Sequence, residues 1–307
     1  MAFCFKRKES VCKAVRRLGR ERIEKSLECL KDCSDAEAIH GVRKDIKKLR
    51  ALLKLVKSEL PKKAYRRQVK LLRKAAQHLS ATRDAYVKAT ALKELTEHFE
   101  GELAPRALRR IRGPLQQAYR QQTKRFAKGK TARVVERILK QARKKLKCLR
   151  VCGKGWPALA RGVKESYTRG RQAFCIALKD SSSENLHEWR KRAKDLWYQV
   201  LLLRRIWPEQ MGAMAAELKA LGELLGDDHD LVMLKQAASN LSSTEAGFRE
   251  IETLNGLIDR RRHELQSAAM TLGARFYAEK PSQFCQRLGG YWRIWRGEKR
   301  KVASRTS

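Results

Sequence analysis

The chain has 307 residues, enough for one large domain or two medium ones around a buried core. Lysine and arginine number 71 against 33 acids, a net charge of +38 with a pI near 10.4, and 42% of residues are apolar. That apolar content excludes a disordered chain, no apolar run reaches the roughly 18 residues of a membrane span, and so much uncompensated positive charge calls for a polyanion: nucleic acid, an anionic surface or a phosphate polymer.

Apolar residues recur at helical spacing and strict alternation is almost absent, so the chain reads as all-α. The start "MAFCFKRKES" is charged by its sixth residue and lacks the apolar stretch of an export signal. The eight cysteines therefore read as reduced thiols of a cytoplasmic protein. Cys29/Cys33 and Cys148/Cys152 share a C-x-x-x-C spacing that fits zinc signatures loosely, and they read as small structural residues.

In chain order, a first helix carries "VRRLGRERI" from Val15, with Arg16, Arg17 and Arg20 at helical spacing. Asp35 is placed to cap a second helix, whose apolar stripe is Val42, Ile46, Leu49, Leu53 and Val56. Beside that stripe run His40, Arg43, Lys44 and Lys47, followed by Lys48 and Lys54. After Pro61 comes a dense basic run of Lys63, Arg66, Arg67, Lys70, Arg73 and Lys74. Ser80 and Asp84 stand where another helix begins or the chain bends; further breaks fall at Gly101/Pro105, Gly129 and Cys152 to Pro157.

The second half opens with "VKESYTRGR" from Val163, which includes Lys164 and Arg171. Ser181 to Asn185 breaks the chain, and Ser183 marks the start of a helix with the stripe Leu186, Trp189, Ala193, Leu196, Val200 and Leu203. Trp189 and Trp197 read as core. His187, Arg190, Lys191 and Lys194 flank that stripe, and Arg204 and Arg205 end the helix, where they neutralise its dipole or extend a basic surface. Pro208 and Pro281 mark two more breaks, and Asp227 and Asp228 read as another helix start or tight bend. Residues 296–307 form a basic tail, preceded by Trp292 and Trp295.

The two halves, 8–150 and 157–290, repeat one another. "VRRLGRERI" precedes "VKESYTRGR" by 148 residues, His40 precedes His187 by 147, and "LSATRDAYV" precedes "LGDDHDLVM" by 146. Three blocks in one order at nearly one offset argue for duplication of a helical unit, with the halves packed as two bundles about a pseudo-two-fold axis. The pattern H-x-x-R-K-x-x-K occurs in both. Residues at i, i+3, i+4 and i+7 share one helix face, so each copy is a basic stripe whose self-repulsion only an anion relieves.

With both H-x-x-R-K-x-x-K stretches, the paired third blocks and the closing "LGARFYAEKPSQF" (Leu272 to Phe284), the chain resembles the CHAD domain family, the conserved histidine α-helical domains, over nearly its whole length. The resemblance implies two four-helix-type bundles around a basic central groove, and binding of inorganic polyphosphate by the histidine helices that line it. The chemistry agrees. Polyphosphate is a flexible row of phosphates without bases, which arginine contacts in bidentate fashion and lysine as a point charge. The expected polyphosphate-binding residues are His40, Arg43, Lys44, Lys47, Lys48, Lys54, His187, Arg190, Lys191 and Lys194. A second bench draws on Arg16, Arg20, Arg66, Lys70, Arg73, Arg171, Arg204 and Arg205. Asp84 and Asp230 occupy matching places in the repeat and read as structural carboxylates that cap helices or pair with arginine.

Neither a cofactor nor a metal is expected, and no catalytic residues. The phosphate-binding loop G-x-x-x-x-G-K-[ST], H-E-x-x-H and G-x-S-x-G are missing from the sequence. A metal-assisted phosphohydrolase built on Asp227, Asp228 and His229 is the rival enzyme reading, although the first half has Ala81, Thr82 and Arg83 at the corresponding places. Non-specific nucleic acid is the rival partner, and the family's association with polyphosphate and polyester granules adds a granule surface as a third.

Overall fold

Ser10 opens the first helix: its hydroxyl accepts from the Lys13 amide, and α1 runs over Val11–Cys29. The computed structural model describes residues 3–31, 36–128, 130–240 and 248–297; Cys33, Asp35, Gly129 and the tail from 298 lie outside the described residues. In chain order come α2 (Ala36–Leu55), a 3-10 turn (Lys57–Glu59), α3 (Lys62–His78), α4 (Ser80–His98), α5 (Pro105–Lys128) and α6 (Thr131–Lys147). The second half holds α7 (Pro157–Lys179), α8 (Ser183–Leu203), a 3-10 turn (Arg204–Ile206), α9 (Pro208–Ser239), α10 (Phe248–Phe276) and α11 (Pro281–Arg296). No strand occurs among the described residues, as the apolar spacing led us to expect.

Local chemistry sets the boundaries. Pro157, Pro208 and Pro281 each sit in a first helical turn, where the missing N–H costs nothing. Ser182, one residue before the expected start, caps α8 by accepting from the Asn185 amide. Gly297 ends α11 in the left-handed conformation at φ +73°. One expectation fails: Asp227 and Asp228 neither begin a helix nor bend the chain, because α9 runs unbroken through them for 32 residues. Its counterpart in the first half is interrupted at Leu79, between α3 and α4.

Helices α1, α2, α3 and α6 pack around one another, as do α7, α8 and the first part of α9, with α11 against α7. α2 lies on α8, so both groups share one core, which includes Ile46, Leu49 and Leu53 of α2 with Leu196, Val200 and Leu203 of α8. A second, smaller core joins α4 and α5 to the latter part of α9 and to α10 through Leu92, Leu95, Ile111, Leu234, Leu254 and Ile258. Each core therefore draws on both halves of the chain.

Close approach and buried charge fix these contacts. Gly162 of α7 lies so near the end of α2 that a Cβ there would stand 1.9 Å from the Leu55 carbonyl oxygen. Gln199 of α8 donates to the Ala51 carbonyl across the α2–α8 contact. The buried Asp45 carboxylate meets Arg22 of α1 and Lys48, each at 3.6 Å. Asp228, also buried, accepts from Arg262 Nε at 2.9 Å and Gln266 Nε2 at 2.7 Å of α10. Arg262 reaches on to the Ser183 hydroxyl at 3.2 Å, tying the start of α8 to α9 and α10. A buried carboxylate is tolerated only with such partners.

Candidate anion-binding site

Because α2 lies on α8, the two basic motifs meet. Lys47 stands within the field of Arg190 and Lys194 as well as of Arg43 on its own helix; His187 feels Lys47, and His40 feels Lys194. Arg83 of α4 joins them, acting on His40, Arg43, Lys47 and Arg190. Five cations, Arg43, Lys47, Arg83, Arg190 and Lys194, thus converge from three helices.

Within each motif the structure sorts the positions. The arginine and the second lysine, Arg43 and Lys47 or Arg190 and Lys194, are half-buried in the cluster. The first lysine, Lys44 or Lys191, is exposed in both copies, and Lys191 pairs with Glu188. Sequence spacing placed all four residues on one stripe. A stripe of i to i+7 is wide enough for one member to turn to solvent when its neighbours are packed against another helix.

The electrostatics follow from this crowding. Burial first, then Arg190, Lys194, Arg43 and Arg83, push Lys47 down to about 7. Burial and Arg190 bring Lys194 down to about 8, against the pull of Glu223 and Asp230. Loss of water, then Arg83 and the nearby lysines, bring His40 down to about 4, although the residue is exposed on one side. His187 is lowered by burial and by Lys191 and Arg190. Its ring lies 4.3 Å from that of His229, which burial and His187 push down to about 4.

Polar atoms here lack partners. Arg190 Nε and His187 Nδ1 are buried without a hydrogen bond, whereas Arg43 donates to the Ala76 carbonyl at 3.0 Å. The stems of Arg190 and Lys194 rest against Gly226 and Gly222 of α9, where an added Cβ would stand 3.5 Å from Arg190 Nε and 3.3 Å from Lys194 Cε. Lys194 also lies over the Trp197 ring at 5.8 Å, so that half-buried indole is already occupied.

Asp84 and Asp230 do not cap helices; both sit inside one. Burial lowers Arg43 and Arg190; the Asp84 carboxylate opposes that shift at Arg43 and Asp230 opposes it at Arg190, while burial raises Asp230 itself. Asp227 is pushed up to about 6, by burial and then by Glu94, Asp230 and Glu223. Asp228 is consumed by Arg262 and Gln266, and no cluster of three or more histidine, cysteine or acidic residues suited to a metal occurs among the described residues. The residues present do not fit the metal site considered for Asp227, Asp228 and His229.

The sequence model of the CHAD domain matches residues 15–239, more than half of the chain and inclusive of both motifs and both third blocks. The chain belongs to the CHAD domain family. Two solved structures share this CHAD fold. PptA from Streptomyces chartreusis is 14% identical with a TM-score of 0.61, over 86% of this chain and 98% of that one. The CHAD domain from the plant Ricinus communis is 16% identical with a TM-score of 0.50, over 98% of this chain and 96% of that one. Among curated proteins, none has a significantly similar sequence.

The other candidate cations of this CHAD chain lie elsewhere. Lys48 pairs with Asp45, and Lys54 with Asp195 in a cavity that Tyr65 and Arg192 also line. Arg16 donates to the Leu149 carbonyl at 2.8 Å and Arg171 to the Tyr277 carbonyl at 3.0 Å, each closing a loop. Arg20 is exposed, 3.9 Å from Glu24. Arg66, Lys70 and Arg73 are exposed on α3, and Arg204 and Arg205 are exposed in the turn after α8. The residue that sequence reasoning passed over is Arg83. Its signal was present: Arg83 and His229 hold the same place in the third repeat block, one facing His40 and the other His187.

Proposed function

We propose that this CHAD protein binds inorganic polyphosphate, without turning it over, in a basic groove where α2, α4 and α8 converge. The observation that carries the reading is the crowding of Arg43, Lys47, Arg83, Arg190 and Lys194, none of which has an acid within ion-pair distance among the described residues, although Asp84, Asp227, Asp230 and Glu223 lie in their field. Two such charges 4 Å apart repel by about 4 kcal/mol at the effective dielectric of a protein surface. A row of phosphates reverses the sign of that term, takes up the free Arg190 Nε and returns the lysines to their ammonium form. The repeated order of elements (helix, helix, 3-10 turn, helical stretch, helix, helix) supports descent from a duplicated unit that supplies the two motifs.

The protein should bind long-chain polyphosphate at physiological salt, and should release no phosphate from it with Mg²⁺ or Mn²⁺. Absence of binding at that salt removes the reading. Phosphate release that disappears in Asp228→Asn would replace it with an enzyme.

A further inference from the structure

A second concentration of charge lies away from the cluster. Helices α3 to α6 carry 25 lysines and arginines against four acids, Asp84, Glu94, Glu97 and Glu136, and three of those acids lie on α4. Their counterparts in the second half, α9, α10 and α11, carry ten cations and ten acids. The surplus therefore belongs to one half of the molecule. Every lysine and arginine of α3 and of α6 is exposed. On α6 only Lys140 and Arg143 have an acid within ion-pair distance, and on α3 no cation has one among the described residues.

The two helices pack side by side, their contact marked by Gln68 of α3 donating to the Ala142 carbonyl of α6. Lys63, Arg67 and Lys74 form one row on α3, at helical spacing; Arg137 and Lys144 form another on α6, with Lys145 beside it. Packed helices lie about 8–10 Å apart, so with side-chain reach the rows match the roughly 12 Å between the phosphate rows that border a major groove. Each row extends over about two to three helical turns, a span of several phosphates at about 3.4 Å per strand step.

What this face lacks narrows the occupant. Single strands are held by exposed aromatic platforms. On α3 the one residue among Phe, Tyr and Trp, Tyr65, is half-buried under Lys57, and α6 has none. A membrane surface asks for exposed apolar side chains beside the cations. Among the described residues the exposed large apolar side chains, Ile176, Leu178, Trp207 and Ile294, all lie in the second half. Cations without wedges or stacking rings suit a polyanion whose bases are already paired and stacked.

We propose that the outer face of the α3–α6 pair is a docking surface for duplex nucleic acid, held through its phosphates without reading of base sequence. The surface is separate from the α2–α8 cluster and does not depend on what the cluster binds.

The test is fluorescence anisotropy of the full chain with a labelled DNA duplex across a salt series. The duplex is compared with the matching single strand, with phosphatidylserine vesicles and with polyphosphate. Substitution of Lys63, Arg67, Lys74, Arg137, Lys144 and Lys145 by glutamine should weaken duplex binding at least about tenfold at physiological salt. It should also flatten the slope of log K against log salt by about 0.9 for each phosphate contact removed. Polyphosphate affinity should stay within a few-fold. These side chains are exposed, so folding is checked by circular dichroism rather than assumed. In Lys47→Gln/Arg190→Gln the duplex affinity should persist. An unchanged duplex affinity in the six-fold variant overturns the proposal, as does an equal loss in Lys47→Gln/Arg190→Gln. Single strands or vesicles bound as tightly through the same six residues would assign the face to another partner, and an equal loss of polyphosphate binding would make it an extension of the cluster.

Discussion

Lys47 shows how one residue can oppose folding of the free protein. Its ammonium is desolvated among Arg190, Lys194, Arg43 and Arg83, and its pKa falls to about 7 from the roughly 10.4 of an unfolded chain. Between those values the unfolded state holds more protons than the folded one, so the stability of the free protein rises with pH from about 7 towards 10. Below pH 7 both states are protonated and the full penalty is present. Lys47→Met should therefore stabilise the free protein by about 1–2 kcal/mol near neutral pH and flatten that rise, while weakening polyphosphate binding. Denaturant unfolding from pH 6 to 10 checks the first part. Anisotropy checks the second, and calorimetry in buffers of different ionisation enthalpy should show proton uptake on binding at pH 7.5. At the same scale, the motif positions are unequal. Arg43→Glu/Arg190→Glu removes two charge-assisted contacts of about 1.5–3 kcal/mol each and should weaken binding about a hundredfold or more. Lys44→Glu/Lys191→Glu, on exposed side chains, should cost about tenfold or less; equal losses in both variants would contradict the arrangement described here.

At the scale of elements, the cluster exists because α2 and α8 approach closely, and α7 holds the end of α2 in place. Gly162 is what permits this: any side chain would enter the space of the Leu55 carbonyl. Gly162→Ala should destabilise the fold by about 1–3 kcal/mol, visible as a lower thermal midpoint, and should weaken polyphosphate binding by displacing α2, and with it Lys47, relative to α8. Gly153→Ala, whose Cβ would meet the flexible end of Glu59 and the Ala158 methyl, should cost less. The helix boundaries themselves were legible, because proline at the first turn and serine at the cap act within a few residues. The continuity of α9 through Asp227 and Asp228 was not. Two acids read as a helix start until Asp228 is seen to be neutralised by Arg262 and to accept a hydrogen bond from Gln266, partners 34 and 38 residues away.

For the whole molecule, the surplus of cations makes stability and binding respond to salt in opposite directions. Screening shortens the reach of the repulsion to about 8 Å at physiological ionic strength. Added sodium chloride should therefore raise the thermal midpoint of the free protein and lower its affinity for polyphosphate. Polyphosphate itself should raise the midpoint in proportion to the logarithm of its concentration, by mass action on the folded state. A scanning-fluorimetry grid of salt against polyphosphate separates the two effects; a midpoint that polyphosphate does not move would mean that the folded state is not what binds.

Taken alone, the sequence settles the all-α class, the places where helices start and stop and the recurrence of H-x-x-R-K-x-x-K. These depend on composition and on interactions a few residues long. Tertiary structure decides which cations meet. Arg16 and Arg171 have the same chemistry as Arg43 and Arg190, yet they close loops on backbone carbonyls. Arg83 joins the cluster from a helix whose sequence carries no histidine motif. Charge interactions depend on distance and burial, and both are set by how α2, α4 and α8 pack, through contacts more than a hundred residues apart such as that of Gln199 with Ala51.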